Sequence, residues 1–184
     1  MRRLLLVLGA LVVAVPALAG TLAGVTLPDS ISVGDRTLTL NGMGVRTKVF
    51  FKVYVGGLYL EKKTTDAAEV IGSDTVKRLV LQFVRNVDRN QITEAFDESV
   101  RNNAAAQAAS LKAEVEQFLA ALEPLKAGEQ MAITHVPGVG TTITVKGADK
   151  VTIPGQPFGQ LVFSMWLGPK PPSGDLKKGL LGIK

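Results

Sequence analysis

The sequence has 184 residues, a formal net charge of +5 and no cysteine. This length is enough for one domain with its own core, and the lack of cysteine excludes a disulfide framework, a thiol nucleophile and a thiolate metal site. The positive charge is modest, and its Lys and Arg residues are scattered among acids without an aromatic stacking platform, so we expect no binding of nucleic acid.

The first 19 residues have the order of a secretory signal peptide. Two arginines are followed by an apolar run from Leu4 to Val15, and the residues Ala17 to Ala19 form a small-residue cleavage site. We therefore predict cleavage after Ala19, a mature domain of residues 20–184, and a periplasmic or secreted protein. The alternative is a retained N-terminal anchor. No later segment approaches the roughly 20 apolar residues of a membrane-spanning helix, so no stable span is expected after cleavage.

The predicted centre of the domain is the stretch from Gly42 to Glu61, which follows two short predicted strands within residues 24–41. It is the longest dense run of aromatic and β-branched residues and predicts β-structure. Alternation along it predicts two faces. The first is apolar and carries Val49, Phe51, Val53, Val55 and Tyr59. The second, the candidate site, carries cationic and phenolic groups over a partly apolar floor, namely Arg46, Lys48, Phe50, Lys52, Tyr54 and Leu58.

The following segments predict helices and one further strand. A short helix is predicted within residues 62–73, and a buried strand over residues 77–84. Asp88 predicts a helix start, with Gln91 as its capping-box partner. Along this helix Ile92, Phe96 and Val100 recur every four residues. A second amphipathic helix is predicted from about residue 108 to 125.

The last third of the chain predicts a β-meander over residues 131–153 and two more helices. The first of these, over residues 158–167, is apolar enough to be buried, and Ser173 caps the second, which ends at residue 181. Antiparallel strands with helices clustered between them predict an α+β fold. We expect an antiparallel sheet of about six strands packed against a layer of helices.

His135, the single histidine, has no Cys or second His with which to form a metal site or a catalytic triad. No functional role is predicted for it, and no metal or organic cofactor is predicted. The pairs Gly42 and Gly44, and Gly138 and Gly140, lack the strand, loop and helix context of a phosphate cradle. They are interpreted as turns or bulges.

Arg46 is the leading candidate for recognition of an anion. It is permanently charged and opens an apolar stretch, so it needs an anionic partner if it is covered. An exposed arginine or a structural ion pair is the alternative interpretation. Tyr54 can donate a hydrogen bond to the same anion, or it can be a rim tyrosine whose hydroxyl reaches water.

Several segments resemble the chalcone isomerase superfamily, in particular its bacterial exported members. They are Gly-Met-Gly-Val-Arg at residues 42–46, Lys-Val-Tyr-Val-Gly-Gly-Leu-Tyr at 52–59, Phe-Ser-Met-Trp-Leu-Gly-Pro-Lys-Pro-Pro-Ser at 163–173 and Leu-Lys-Lys-Gly-Leu-Leu at 176–181. The resemblance covers nearly the whole chain after residue 20. It implies the chalcone isomerase-like sandwich of sheet and helices, but none of these segments is a catalytic fingerprint.

The resemblance implies a site position by position. Arg46 matches the arginine that stabilises the substrate phenolate in the plant isomerases. The threonine, tyrosine and asparagine that assist it fall at Tyr54, Ile92 and Ser99. A late hydroxyl of those enzymes falls at residue 164 or 165, a serine or a methionine. Because an apolar Ile92 cannot hold a catalytic water, most of the polar network of the isomerase is missing.

Arg46 and Tyr54 together instead resemble the non-catalytic fatty-acid-binding branch, in which such a pair holds a carboxylate. The implied ligand-binding residues are Arg46, Tyr54, Ile92, Phe96 and Ser99, with Val100, Phe118 and Leu122 as further wall residues. The leading hypothesis is a binder of a small amphipathic anion such as a fatty acid. The alternatives are an intramolecular lyase that uses Arg46 to stabilise an oxyanion, and an accessory protein without a small ligand.

One geometric condition applies to this site. In a single straight strand Arg46 and Tyr54 would lie roughly 26 Å apart. Their convergence therefore requires a turn or bulge near Thr47 and Lys48.

Overall fold

The computed structural model describes residues 19–183, which form an α+β fold with a seven-stranded antiparallel sheet, a two-stranded sheet and six helices. The strands are β1 (Ala19–Leu22), β2 (Val25–Pro28), β3 (Ser30–Val33), β4 (Arg36–Lys48), β5 (Phe51–Leu60), β6 (Lys77–Phe83), β7 (Gln130–Val136), β8 (Gly140–Val145) and β9 (Ala148–Ile153). The helices are α1 (Ala67–Gly72), α2 (Arg89–Asn103), α3 (Ala105–Ser110), α4 (Lys112–Ala120), α5 (Gln156–Leu167) and α6 (Gly174–Leu180). The predicted fold class is confirmed.

The large sheet follows chain order from β3 to β9, while β1 pairs only with β2. The predicted signal peptide, apart from Ala19, lies outside the described residues. Within residues 19–183 no helix is long and apolar enough to cross a membrane.

The two faces of the large sheet have separate hydrophobic cores. On one face Leu79, Leu81 and Phe83 pack with the helices. On the other face Val55 and Tyr59 are fully buried in a smaller cluster that includes residues of β2 and β4. The helix-facing core is the larger of the two, and the candidate site lies on that side.

The stretch over residues 42–61 is a hairpin and not one strand. Its two arms, β4 and β5, are joined by a two-residue turn at Val49 and Phe50, with Lys48 paired to Phe51. The prediction that Val49 and Phe51 belong to an apolar face is wrong, because their exposed fractions are 77% and 60%. A turn without Gly, Pro, Asn or Asp gives no signal in the sequence.

The helix predictions are confirmed in part. Asp88 accepts the backbone N–H of Gln91, whose side chain accepts the backbone N–H of Asp88, so the predicted capping box forms. The single helix predicted from about 108 to 125 is wrong, because α3 and α4 are separated at Leu111. The buried helix α5 ends at Gly168, and Ser173 caps α6, as predicted.

The Gly42 and Gly44 pair lies within β4, next to a register shift between Leu40 and Gly42. These glycines permit helix α6 to touch the strand. A Cβ atom on Gly44 would lie 2.4 Å from the carbonyl oxygen of Leu176, and one on Gly179 would lie 2.3 Å from the carbonyl oxygen of Met43. Of the two interpretations of this pair, the turn is therefore wrong, whereas the register shift at Gly42 agrees with a bulge. Gly138 lies in the β7–β8 turn, and Gly140 is the first residue of β8; both have positive φ.

Candidate functional site

A cavity of about 460 Å³ lies between the sheet and helices α2 and α5. Pockets for small ligands typically have volumes of about 300–1,000 Å³. The buried part of its wall is apolar and consists mainly of Leu81, Phe83, Ile92, Phe96, Met131, Met165 and Trp166. The exposed mouth carries the charged side chains of Lys48, Arg85, Glu98 and Lys170. The cavity therefore has an apolar interior and a predominantly cationic entrance.

Arg46 and Tyr54 converge at this cavity because the hairpin makes them neighbours. Arg46 on β4 pairs directly with Tyr54 on β5, and both side chains line the cavity. The register shifts after Arg46, and the chain turns at Val49 and Phe50. The geometric condition for convergence, a bulge or turn close to Thr47, is met. Residues directly opposite in an antiparallel pair lie with Cβ atoms about 4.5–5.5 Å apart.

Arg46 is half-buried, and among residues 19–183 few of its donors are used. Its Nη1 donates to the backbone oxygen of Thr47 over 2.7 Å. None of the ion pairs formed among residues 19–183 includes Arg46. The alternative interpretation of a structural ion pair therefore has no carboxylate partner in the part of the chain that the structure describes. A guanidinium has five N–H donors in a fork that matches a carboxylate.

Tyr54 receives a hydrogen bond from Trp166, a residue that was not predicted to belong to the site. Trp166 Nε1 donates to the Tyr54 hydroxyl oxygen over 3.0 Å. Burial raises the pKa of Tyr54 to about 12, although the Trp166 hydrogen bond and the Arg46 charge act in the opposite direction. The hydroxyl therefore stays protonated near neutral pH. Because Trp166 supplies its own hydrogen, the Tyr54 proton remains available to a ligand.

Of the four predicted residues on α2, Ile92, Phe96 and Ser99 also line the cavity. Ile92 and Phe96 are apolar wall residues, and the Phe96 ring lies edge-on to Trp166 with centroids 5.6 Å apart. Ser99 is buried, and its hydroxyl donates to the backbone oxygen of Met165 over 2.8 Å. It thereby ties α2 to α5. The structure brings Arg46, Tyr54, Ile92, Phe96 and Ser99 to one cavity, and their role in binding stays a prediction.

Comparison with known proteins decides the family. The profile of a family described as chalcone isomerase-like matches residues 19–182. The chain belongs to the chalcone isomerase-like family. The crystal structure of a fatty-acid binding protein from Arabidopsis thaliana superposes with a TM-score of 0.69 at 15% sequence identity, covering 89% of this chain and 95% of that chain. This likeness shows the fold. A comparison with curated proteins finds no match.

The two residues of this chalcone isomerase-like chain at which a late hydroxyl is predicted, 164 and 165, lie differently in the structure. Met165 lines the cavity, whereas the hydroxyl of Ser164 donates to a backbone oxygen one turn earlier in α5, over 2.6 Å. The predicted wall residues Val100, Phe118 and Leu122 are not cavity residues. Phe118 packs behind the wall, edge-on to Phe96, with centroids 4.8 Å apart. The sheet contributes Leu81, Phe83 and Met131 to the wall.

His135 lies at the opposite end of the sheet from the cavity. It pairs with Lys77 at the start of β6, whereas Tyr54 pairs with Phe83 at the end of that strand. Its ring nitrogens lie 2.9 Å from the Asp74 carboxylate and 3.0 Å from the Thr141 hydroxyl. Among residues 19–183 no group of three or more His, Cys, Asp or Glu could hold a metal ion. His135 is a satisfied core residue.

Proposed function

We propose that this chalcone isomerase-like protein binds a small amphipathic anion such as a fatty acid, and that it does so without catalysis. The proposal rests mainly on the position of Arg46. This arginine lies at the edge of an apolar cavity and has no carboxylate partner among residues 19–183. A carboxylate would accept charge-assisted hydrogen bonds from Arg46 and Tyr54. The tail would cover the apolar wall.

Two further observations favour binding over an isomerase reaction. Ile92 is apolar at a position where the resemblance to plant isomerases places a tyrosine. Of the two residues at which it places a late hydroxyl, the apolar Met165 is the one that lines the cavity. The Ser99 proton is already donated to a backbone oxygen. The interior wall thus offers few groups for proton transfer or for holding a reactive water. The structural relative from Arabidopsis thaliana is itself described as a fatty-acid binding protein.

We also propose that the protein acts in the periplasm or outside the cell. The support is the signal-peptide order of the first 19 residues, with its apolar run and small-residue site. The test is the N-terminal residue of the protein isolated from its host. An N-terminus at Gly20 is expected, and an intact leader would contradict the proposal.

The binding proposal can be tested with the single tryptophan as reporter. Trp166 lies on the cavity wall, so a brominated fatty acid should quench its fluorescence in a saturable manner. Hydrogen bonds to charged groups contribute about 1.5–3 kcal/mol. Arg46→Ala should therefore weaken binding by at least about tenfold, and Arg46→Lys should weaken it less. The proposal fails if Arg46→Ala binds as tightly as the wild type.

A matched control is Arg36→Ala. Arg36 lies at the far end of the same strand and is exposed, beside Asp35 and Glu61. Its removal should leave quenching unchanged, so a loss confined to Arg46→Ala cannot result from the change in net charge. Native mass spectrometry of the protein from its host should also detect a fatty acid that Arg46→Ala loses. Turnover of a chalcone that is lost in Arg46→Ala would favour the isomerase hypothesis instead.

A further inference from the structure

The turn between β4 and β5 exposes three consecutive apolar residues. The exposed fractions are 77% for Val49, 90% for Phe50 and 60% for Phe51. Hairpin turns normally carry Gly, Asn, Asp, Pro or Ser, each for a conformational reason. Contiguous exposed apolar side chains commonly mark a surface that meets a protein or a membrane. We call residues 48–52 the hairpin tip.

The backbone of the hairpin tip is strained by its sequence. Val49 has φ +59°, in the left-handed region that a β-branched residue rarely adopts. Glycine at the first position of a two-residue turn with positive φ would remove this strain. Stored strain of this kind is a pointer to function. Here the chain retains a large apolar side chain where folding alone favours glycine.

The charges around the hairpin tip are mostly positive. Lys48 and Lys52 flank the apolar residues, and the Arg85 guanidinium lies 4.7 Å from the centroid of the Phe51 ring. Lys170 lies on the same cavity rim, where the acidic side chain is Glu98. Apolar side chains between cations suit the interface of an anionic bilayer. The rings can enter the acyl boundary while the lysines meet the headgroups.

The hairpin tip also borders the cavity mouth, because Val49 and Phe51 are among the residues that line it. We propose that the hairpin tip docks on an anionic phospholipid bilayer and holds the cavity mouth against it. An amphipathic ligand could then pass between bilayer and cavity without crossing water. This transfer rests on the proposed function, whereas the docking itself does not.

Vesicle sedimentation tests the docking. The protein isolated from its host should bind vesicles that contain phosphatidylglycerol, more weakly at high salt, and should bind pure phosphatidylcholine vesicles poorly. Phe50→Ser should weaken binding by about tenfold. Lys48→Gln and Lys52→Gln should each weaken it by about fivefold. The control is Val139→Ser, since Val139 is 57% exposed in the β7–β8 turn at the other end of the sheet. This control should bind as the wild type does.

A second readout reports on the hairpin tip itself. Because the chain has no cysteine, Phe50→Cys carries a single environment-sensitive dye, and Val139→Cys is its matched control. The dye at position 50 should gain emission and shift to the blue on anionic vesicles, and the dye at position 139 should not. Equal responses at both positions, or undiminished vesicle binding by Phe50→Ser, would overturn the proposal.

The two proposals fail in distinguishable ways. Phe50 does not line the cavity, so Phe50→Ser should bind dissolved fatty acid as the wild type does, measured by Trp166 quenching without vesicles. If docking is wrong, this quenching persists while vesicle binding is absent or insensitive to Phe50→Ser. If the fatty-acid proposal is wrong, quenching is absent while vesicle binding persists.

Discussion

At the residue scale, the hydroxyl of Tyr54 has a defined direction of donation. Its oxygen accepts the Trp166 hydrogen bond, so its proton points to another acceptor. A hydrogen bond that an oxygen accepts also polarises the one it donates. Since burial raises the pKa of Tyr54 to about 12, the donor persists at any physiological pH. Tyr54 is therefore suited to assist Arg46 but cannot replace its charge.

Removal of the Tyr54 hydroxyl should weaken fatty-acid binding less than removal of Arg46. Tyr54→Phe keeps the ring that packs 5.5 Å from Phe83, centroid to centroid, and deletes only the donor. Loss of this one hydrogen bond to a charged ligand predicts a decrease of about tenfold, and Arg46→Ala should lose more because it removes the positive charge as well. Isothermal titration calorimetry measures it, and Tyr59→Phe is the control because the Tyr59 hydroxyl donates to Pro28 on the other face. Unchanged affinity in Tyr54→Phe would make Tyr54 a wall residue only.

At the element scale, the contact between α6 and β4 depends on the absence of side chains. A Cβ atom on Gly44 would meet the backbone of Leu176, which cannot rotate away as a side chain can. Gly44→Ala should therefore lower the free energy of unfolding by about 1–3 kcal/mol, the usual cost of overpacking. Urea denaturation measures the change. The control is Gly174→Ala in helix α6, where nothing lies within 4 Å of the Cβ position. Its free energy of unfolding should stay within about 0.5 kcal/mol of the wild-type value.

The elements that the sequence predicted well are those with local signals. The Asp88 capping box, the Ser173 cap and the alternating strands of the meander each depend on residues that are close in sequence. The β4–β5 turn was missed because Val49 and Phe50 carry no turn signal and the apolar pattern continues across them. The break at Leu111 was missed for a similar reason, since the amphipathic stripe continues through it.

The residues of the candidate site also divide into those that a local sequence signal predicts and those that no local signal predicts. Local pattern and resemblance selected Arg46, Tyr54 and, on α2, Ile92, Phe96 and Ser99, and the structure places them together. Trp166 is 112 residues from Tyr54 in sequence, and nothing in a single sequence links the two. The same holds for Met131 in β7, which forms part of the wall. Such contacts follow from strand order and helix placement, which no short motif encodes.

At the scale of the whole molecule, the two ends of the large sheet differ in how their buried polar groups are satisfied. At the cavity end, Arg46 keeps donors free of carboxylate partners among residues 19–183. At the other end, His135 is bonded through both ring nitrogens. Lys77 beside it donates to the backbone oxygens of Val70 and Ser73 over 2.6 and 2.7 Å. These two bonds satisfy carbonyl groups at the C-terminal end of α1. The bonded side chains of His135 and Lys77 stabilise that end, although the buried Thr134 hydroxyl there has no partner among residues 19–183. The open donors of Arg46 suit ligand recognition.

The buried Lys77 makes the stability of the whole molecule depend on pH. Burial lowers its pKa from 10.5 to about 8, although Asp74 acts in the opposite direction. The folded state thus binds this proton more weakly than the unfolded state, so the cost is fully present below pH 8 and disappears as pH rises toward 10.5. A neutral amine still has two N–H groups for the two backbone oxygens. The contacts at α1 therefore survive deprotonation.

Compared with Lys77→Met, the wild type should accordingly gain up to about 3 kcal/mol of stability between pH 8 and 10.5. Lys77→Met lacks both hydrogen bonds at every pH. Their loss therefore lowers its free energy of unfolding by a constant amount and does not change how that free energy varies with pH. Changes in surface charge act on both proteins alike. Urea denaturation should be measured up to about pH 10, since the raised pKa values of Tyr54 and Tyr59 make stability fall above it. Parallel stability curves for the two proteins would show that Lys77 stays charged in the fold.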